Sequence, residues 1–222
     1  MNLSQLTQAI QDYSENTEQL FVANINTFLS QAELRIYNSV QIPVLRKNVT
    51  GNVTISNPYL SCPNDFMAVY SVATISPSGA YNFLIDKDVS FVREAYPNPS
   101  VTGLPKYYAI FGTQLTYPTE LSLILTPTPD NNYGVELHYY YMPESITVAA
   151  SGTTWLSDNY DPVLFYGAMR EAMIFMKGEA DMVGYYEQKY QEALGQLKRL
   201  GDGLERGDSY RNNQTKLPYS SL

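Results

Sequence analysis

The chain has 222 residues, enough for one large domain or two small ones, and its 44% hydrophobic and 13% aromatic content excludes a disordered polymer. Only 16% of its residues are charged, the net charge is −8, and acids and bases are spread along the whole length, so there is no basic patch to clamp nucleic acid by counterion release. One cysteine, Cys62, rules out a disulfide framework and a cysteine-based zinc site; one histidine, His138, leaves a catalytic triad or a histidine metal site short of material; neither a membrane-spanning apolar run nor a secretory leader is expected.

Two helices are predicted in the first 40 residues. Asn2-x-x-Gln5 and Asn16-x-x-Gln19 both fit the capping box, in which a side-chain acceptor is followed three residues later by Gln. In the second helix Phe21, Ile25, Phe28, Leu29, Ala32 and Ile36 form one stripe at the 3.6-residue period, with Asn24, Gln31 and Glu33 off it.

From 42 to 152 the texture changes to short β-branched and aromatic runs broken by Pro, Gly and Asn. Gly51-Asn52 reads as a two-residue hairpin turn, and Pro63-Asn64-Asp65 as the turn into a long strand, Phe66–Ile75. Gly112-Thr113 reads as the link between strands at 107–111 and 114–117. The alternating runs at 121–126 and 135–141 read as a strand pair joined by the turn-rich 127–132. Regularly spaced short strands imply an antiparallel sandwich or barrel-like module.

Helical period returns near 160. Asp161-Pro162 reads as an N-cap followed by a first-turn proline, and the helix after it is apolar on more than half its circumference, which requires contact on more than one side. A further helix opens at Glu179-Ala180, carries Tyr186, Tyr190, Ala193, Leu194 and Leu197 on one stripe, and is expected to stop at Gly201. The glycine-rich remainder has too little apolar area to offset its ordering entropy and reads as an extended arm. The expected fold is α+β. Residues 1–41 and 153–200 supply a helical bundle, 42–152 an inserted β module, and 201–222 the arm.

No chemistry of catalysis or metal binding stands out. Asp86 and Asp88 are too few for a cation site, and Asp158 and Asp161 lack any defined separation. His138 has no histidine or cysteine to join it, and Cys62 reads as a small buried apolar residue. Arg206-Gly207-Asp208 is too short a match to an adhesion tripeptide to carry an argument. No phosphate-cradling or nucleophile-elbow motif is present, so the chain reads as a non-enzyme without cofactor or metal. Surface chemistry remains. The chain has twenty tyrosines, many of them crowding the β segment and the last helix, and tyrosine is enriched where proteins meet.

Several segments together resemble a known family. They are Ala32-Glu33-Leu34-Arg35-Ile36-Tyr37, Cys62-Pro63-Asn64-Asp65-Phe66, Thr102-Gly103-Leu104-Pro105-Lys106-Tyr107-Tyr108, the 127–132 turn leading into Glu136-Leu137-His138-Tyr139-Tyr140-Tyr141, Trp155-Leu156-Ser157, Tyr166-Gly167-Ala168 and Tyr186-Glu187-Gln188-Lys189-Tyr190. Their order over about 17–200 is similar to that of bacteriophage head-to-tail adaptor proteins of the tail-tubular-protein-A-like kind, with the first helix outside the likeness. The resemblance implies a structural virion protein of the phage neck, assembled in the host cytoplasm. It implies a ring of twelve copies that binds the portal protein and the tail nozzle or other tail proteins, and that lets DNA pass without sequence-specific binding or membrane contact. The candidate subunit and portal contacts are then His138 and Tyr140 on the last strand and Arg170 and Tyr185 on the helical pair. Arg206, Tyr210, Arg211, Leu217 and Tyr219 on the arm complete the set. A stand-alone β-rich binding module on a helical mount, with a glycan as ligand, is the alternative.

Overall fold

The computed structural model describes residues 1–40, 42–113 and 120–205, and the chain forms two compact units, one from residues 1–44 with 144 onward and one from 45–143. In chain order the elements begin with helices α1 (Leu3–Ser14) and α2 (Gln19–Ser39) and a 3₁₀ turn, Pro43–Leu45. Strands β1 (Arg46–Val53), β2 (Tyr59–Ser61), β3 (Phe66–Ile75), β4 (Tyr81–Phe83) and β5 (Ile85–Asp86) follow, then a short helix α3 (Val89–Ala95). Next come β6 (Thr102–Gly103), β7 (Tyr107–Thr113), β8 (Leu121–Thr126), β9 (Thr128–Pro129) and β10 (Tyr133–Tyr141), before α4 (Trp155–Asn159), α5 (Asp161–Phe175) and α6 (Ala180–Glu205). The expected α+β class is the class found.

In the helical unit the capping box at Asn2 forms as expected. The Gln5 amide donates to Asn2 Oδ1 at 2.9 Å, and the Asn2 amide donates to Gln5 Oε1 at 2.9 Å. The second capping box does not form. Asn16 Oδ1 instead accepts from the Glu18 amide at 2.9 Å, and α2 starts without a side-chain cap. What secures α2 is burial: all six residues of its predicted stripe are buried, each worth about 1.5–3 kcal/mol for the larger side chains. Glu33, expected off that stripe, is buried with them. Helix α5 packs against α1, α2, α4 and α6, which accounts for its breadth of apolar surface. Asp161 is its first helical residue and not its cap, since Tyr160 holds that position. Helix α6 continues past Gly201 to Glu205, so the residues at 201–205 are helical and not arm.

In the β unit, one sheet has the order β1-β10-β3-β4 and a second the order β2-β8-β7-β5, with β6 and β9 forming a small parallel pair. Val72, Val135, Leu137 and Tyr139 of the first sheet share one core with Tyr108, Leu123 and Leu125 of the second. Two local expectations fail here for the same reason. Gly51-Asn52 lies inside β1, where Gly51 pairs with Val135 and Asn52 with Gly134, so a long-range ladder overrides local turn chemistry. The runs at 121–126 and 135–141 are strands but not partners: β8 belongs to the second sheet and β10 to the first, and 127–132 carries the chain from one to the other. Gly112, at φ 107°, marks a register shift within β7 opposite β8 and not the turn itself. The strand expected at 114–117 lies outside the described residues. Strand β3 spans Phe66–Ile75 as predicted. Helix α3 was not anticipated; Asp88 caps it by accepting from the Phe91 amide at 2.8 Å.

Candidate contact surfaces

The solvent face of the first sheet in the β unit is aromatic. Along β10, Val135, Leu137 and Tyr139 point into the core, while Glu136, His138 and Tyr140 alternate onto the opposite, half-buried face. The β3–β10 register jumps from the His138–Ser71 pair to the Tyr139–Val69 pair, leaving Tyr70 unopposed. This bulge turns Tyr70 outward, 51% exposed. The His138 ring meets Tyr70 edge-on at 4.8 Å. Arg46, opposite Tyr140 in the ladder, places its guanidinium 4.0 Å from the Tyr70 ring centroid and 5.0 Å from that of Tyr140, and donates to the Tyr140 hydroxyl at 2.7 Å. Two of the residues expected from sequence, His138 and Tyr140, are therefore brought together, with Arg46 and Tyr70 added. Only the outward register of β10 could have suggested Tyr70, and a bulge carries no such sequence signal.

Beneath that face an anchoring group fixes the strands. Asp65 accepts from Lys47 Nζ at 2.6 Å and from the Tyr139 hydroxyl at 2.9 Å. Burial works to raise the Asp65 carboxyl, but the hydrogen bonds from Lys47 and Tyr139, with the Lys47 charge, outweigh it and hold the group below the usual carboxylate range. Burial and the neighbouring carboxylate push the Tyr139 phenol up to about 12. Cys62 is buried in the core, where desolvation pushes its thiol up to about 12, far from the thiolate a nucleophile needs.

In the helical unit Arg170 sits in a four-membered charge network. Its Nη1 bonds Glu171 Oε1 at 2.7 Å and its Nε pairs with Glu187, while Arg35 Nη2 reaches the same Glu171 oxygen at 2.7 Å and Arg35 Nη1 lies 3.7 Å from Glu187. Arg170 thus ties α5 to α6, a cohesive role, and is 23% exposed. Tyr185 on α6 is 51% exposed and stands edge-on to buried Tyr186 at 5.4 Å. Arg170 and Tyr185 belong to the helical unit, His138 and Tyr140 to the β unit. Arg206, Tyr210, Arg211, Leu217 and Tyr219 lie outside the described residues.

A surface the sequence reading missed runs along α2. Leu20, Ala23, Thr27, Gln31, Leu34 and Asn38 are exposed on one stripe, with Leu20 69% and Leu34 50% exposed, and no charged side chain interrupts it over a helix of about 30 Å. Exposed helix faces ordinarily carry charge, whereas interface centres are depleted of it.

Among the described residues no three His, Cys, Asp or Glu side chains converge as a metal site would require, and no helix is long and apolar enough to cross a membrane. A model of the SU10 adaptor protein family matches residues 1–216. The chain belongs to the SU10 adaptor protein family. The match starts at residue 1, so α1, expected to lie outside the likeness, is inside the family's extent. Membership makes the chain a phage adaptor, a structural protein of the virion. No curated protein matches the chain.

Proposed function

We propose that the chain is a head-to-tail adaptor of the tail-tubular-protein-A-like kind. In this reading twelve copies form a ring in the virion neck, between the portal protein and the tail nozzle or other tail proteins, after assembly in the host cytoplasm. The observation that carries it is the family match over 1–216, in a protein whose exposed surface is built for contact: an uncharged α2 stripe and an aromatic sheet face. A closed cyclic assembly hides such surfaces on every copy without leaving a free sticky end. The ring continues the DNA channel, and the net charge of −8 favours passage of phosphates with little adhesion. His138 and Tyr140, with Tyr185 and the arm residues Arg206, Tyr210, Arg211, Leu217 and Tyr219, serve as subunit or portal contacts. Arg170, which also holds α5 to α6, is a further contact of the same set.

Electron cryo-microscopy of the intact neck tests this directly. The chain should trace into a twelvefold ring between portal and nozzle. Tracing to any other part of the particle, or its absence from purified infectious particles, would overturn it.

A further inference from the structure

Glu33 is a buried carboxylate, 2% exposed, on a helix whose buried face is otherwise apolar and aromatic. Its partners lie 112 residues and more along the chain. The Ile146 amide donates to Glu33 Oε1 at 2.9 Å, and the Ser145 hydroxyl donates to Glu33 Oε2. Around them the Ser145 and Thr147 hydroxyls are 2.9 Å apart, with Ser30 of α2 3.4 Å from each. Ser145 also starts a single helical turn, its carbonyl accepting from the amides of Val148 at 3.1 Å and Ala149 at 2.9 Å. Glu33 thus supplies, from another helix, the acceptor that the turn's first free N–H needs. The gripped segment is the place where the chain re-enters the helical unit, directly after the last residue of the β unit, Pro143.

No cation answers this carboxylate among the described residues. Arg35, two positions on along α2, is committed to Glu171 and Glu187, as is Arg170 on α5. The acid beside Ser145, Glu144, is exposed; Asp12 of α1 accepts from Gln8; Asp158 of α4 is exposed. A buried, hydroxyl-lined carboxylate with no counter-charge among the described residues, set on a chain crossing, has the form of a switch. We propose that Glu33 is a protonation-controlled latch on the return crossing, gripping residues 145–147 most firmly when it carries a proton and loosening its hold when ionised. The hydroxyls of Ser30, Ser145 and Thr147 can each turn to donate or accept, so the proton, taken from water, has an acceptor in place.

The direction follows from linkage. Burial raises the Glu33 carboxyl above the ordinary glutamate range, more than the Ser145 and Ile146 hydrogen bonds lower it. With the segment released the carboxyl is hydrated and titrates normally. The closed state therefore binds the proton more tightly than the open one. Closure is strongest below the open-state value and weakens as pH rises through the raised closed-state value.

Hydrogen exchange of the full chain, corrected for the intrinsic pH dependence, tests the proposal at the amides of 146–149 between pH 4 and 8. Protection there should fall with rising pH, about tenfold for each pH unit by which closure raises the carboxyl, while the α5 amides stay level. Glu33→Gln should remove the pH dependence. Wild-type protection that is flat in pH, or the same slope in the glutamine variant, would overturn the latch. If that variant does not fold, Ser145→Ala serves instead: loss of a donor to the carboxylate should move the wild-type transition to higher pH, and an unmoved transition counts against the proposal.

The latch does not depend on the ring reading. Its failure would leave the neck assignment untouched, and the converse holds.

Discussion

Gly167 on α5 and Ala32 on α2 approach so closely that a Cβ placed on Gly167 would lie 3.0 Å from the Ala32 methyl and 3.4 Å from the Tyr190 ring. The Ala32 methyl is fixed to its helix backbone and cannot rotate away, so a side chain at 167 must push α5 from α2. Gly184 on α6 has nothing within 4 Å of the same position. Gly167→Ala should lower stability by about 1 kcal/mol net, overpacking outweighing the helix-propensity gain, and Gly167→Val by more. Gly184→Ala should raise stability by about 0.5–1 kcal/mol. Thermal melts of the three variants check this, and stabilisation by Gly167→Ala would show the contact to be looser than the geometry says.

Asp65 links stability to pH in the β unit. Its carboxyl is held low in the folded protein, so its stabilising contribution is complete above the ordinary aspartate value and disappears as pH falls through the lower folded value. Lys47 and Asp65 are 48% and 31% exposed, which screens the ion pair, but in the asparagine variant the buried Tyr139 hydroxyl donates to a neutral amide oxygen in place of a carboxylate, and Lys47 faces an amide NH2 that cannot accept from it. Asp65→Asn should therefore cost about 1–2 kcal/mol at pH 7. Denaturant titrations at pH 7 and pH 3 should show the gap between variant and wild type closing at the acid end. A gap independent of pH would assign the loss to packing alone.

Arg170 divides its charge between Glu171 and Glu187, and Arg35 cannot replace it fully because it already serves both. Arg170→Met keeps the stem's bulk while removing the guanidinium. It should destabilise the helical unit by about 1–2 kcal/mol in low salt and by less in 1 M salt. Guanidinium chloride would itself mask the effect, so the measurement is a urea titration at two salt concentrations. An undiminished loss in high salt would point to stem packing.

How much of this was legible in the sequence depended on whether the signal was local. The α2 stripe, β3, and the in-out alternation of β10 are set by the period of one segment, and they appear as read. The pairing of β1 with β10 and the separation of β8 from β10 into different sheets are set by contacts 80 to 94 residues apart in the first case and by a sheet crossing in the second, neither of which has a local signature. At the contact surfaces, His138 and Tyr140 could be placed on an outer face by counting along one strand. Arg46 and the Tyr70 bulge could not, since they arrive there by register. Glu33 shows the limit most plainly. A carboxylate one position from Ala32 reads as solvent-facing until the distant Ser145 and Ile146 supply the donors that let it be buried.

The uncharged stripe on α2 makes the most exacting test of assembly. Leu34 is half exposed and makes no part of the buried core, so a charge there has little to disturb within one copy. If the stripe packs against a neighbouring copy, the same charge must be desolvated without a partner, which interfaces tolerate poorly. Leu34→Glu should melt within about 0.5 kcal/mol of wild type, as surface substitutions do, yet fail to form rings on isolated portal or to complement an adaptor-deficient phage. A conservative Leu34→Met should assemble normally. Rings that form as readily with Glu as with Leu at this position would remove α2 from the interface and leave the aromatic sheet face as the surface to examine.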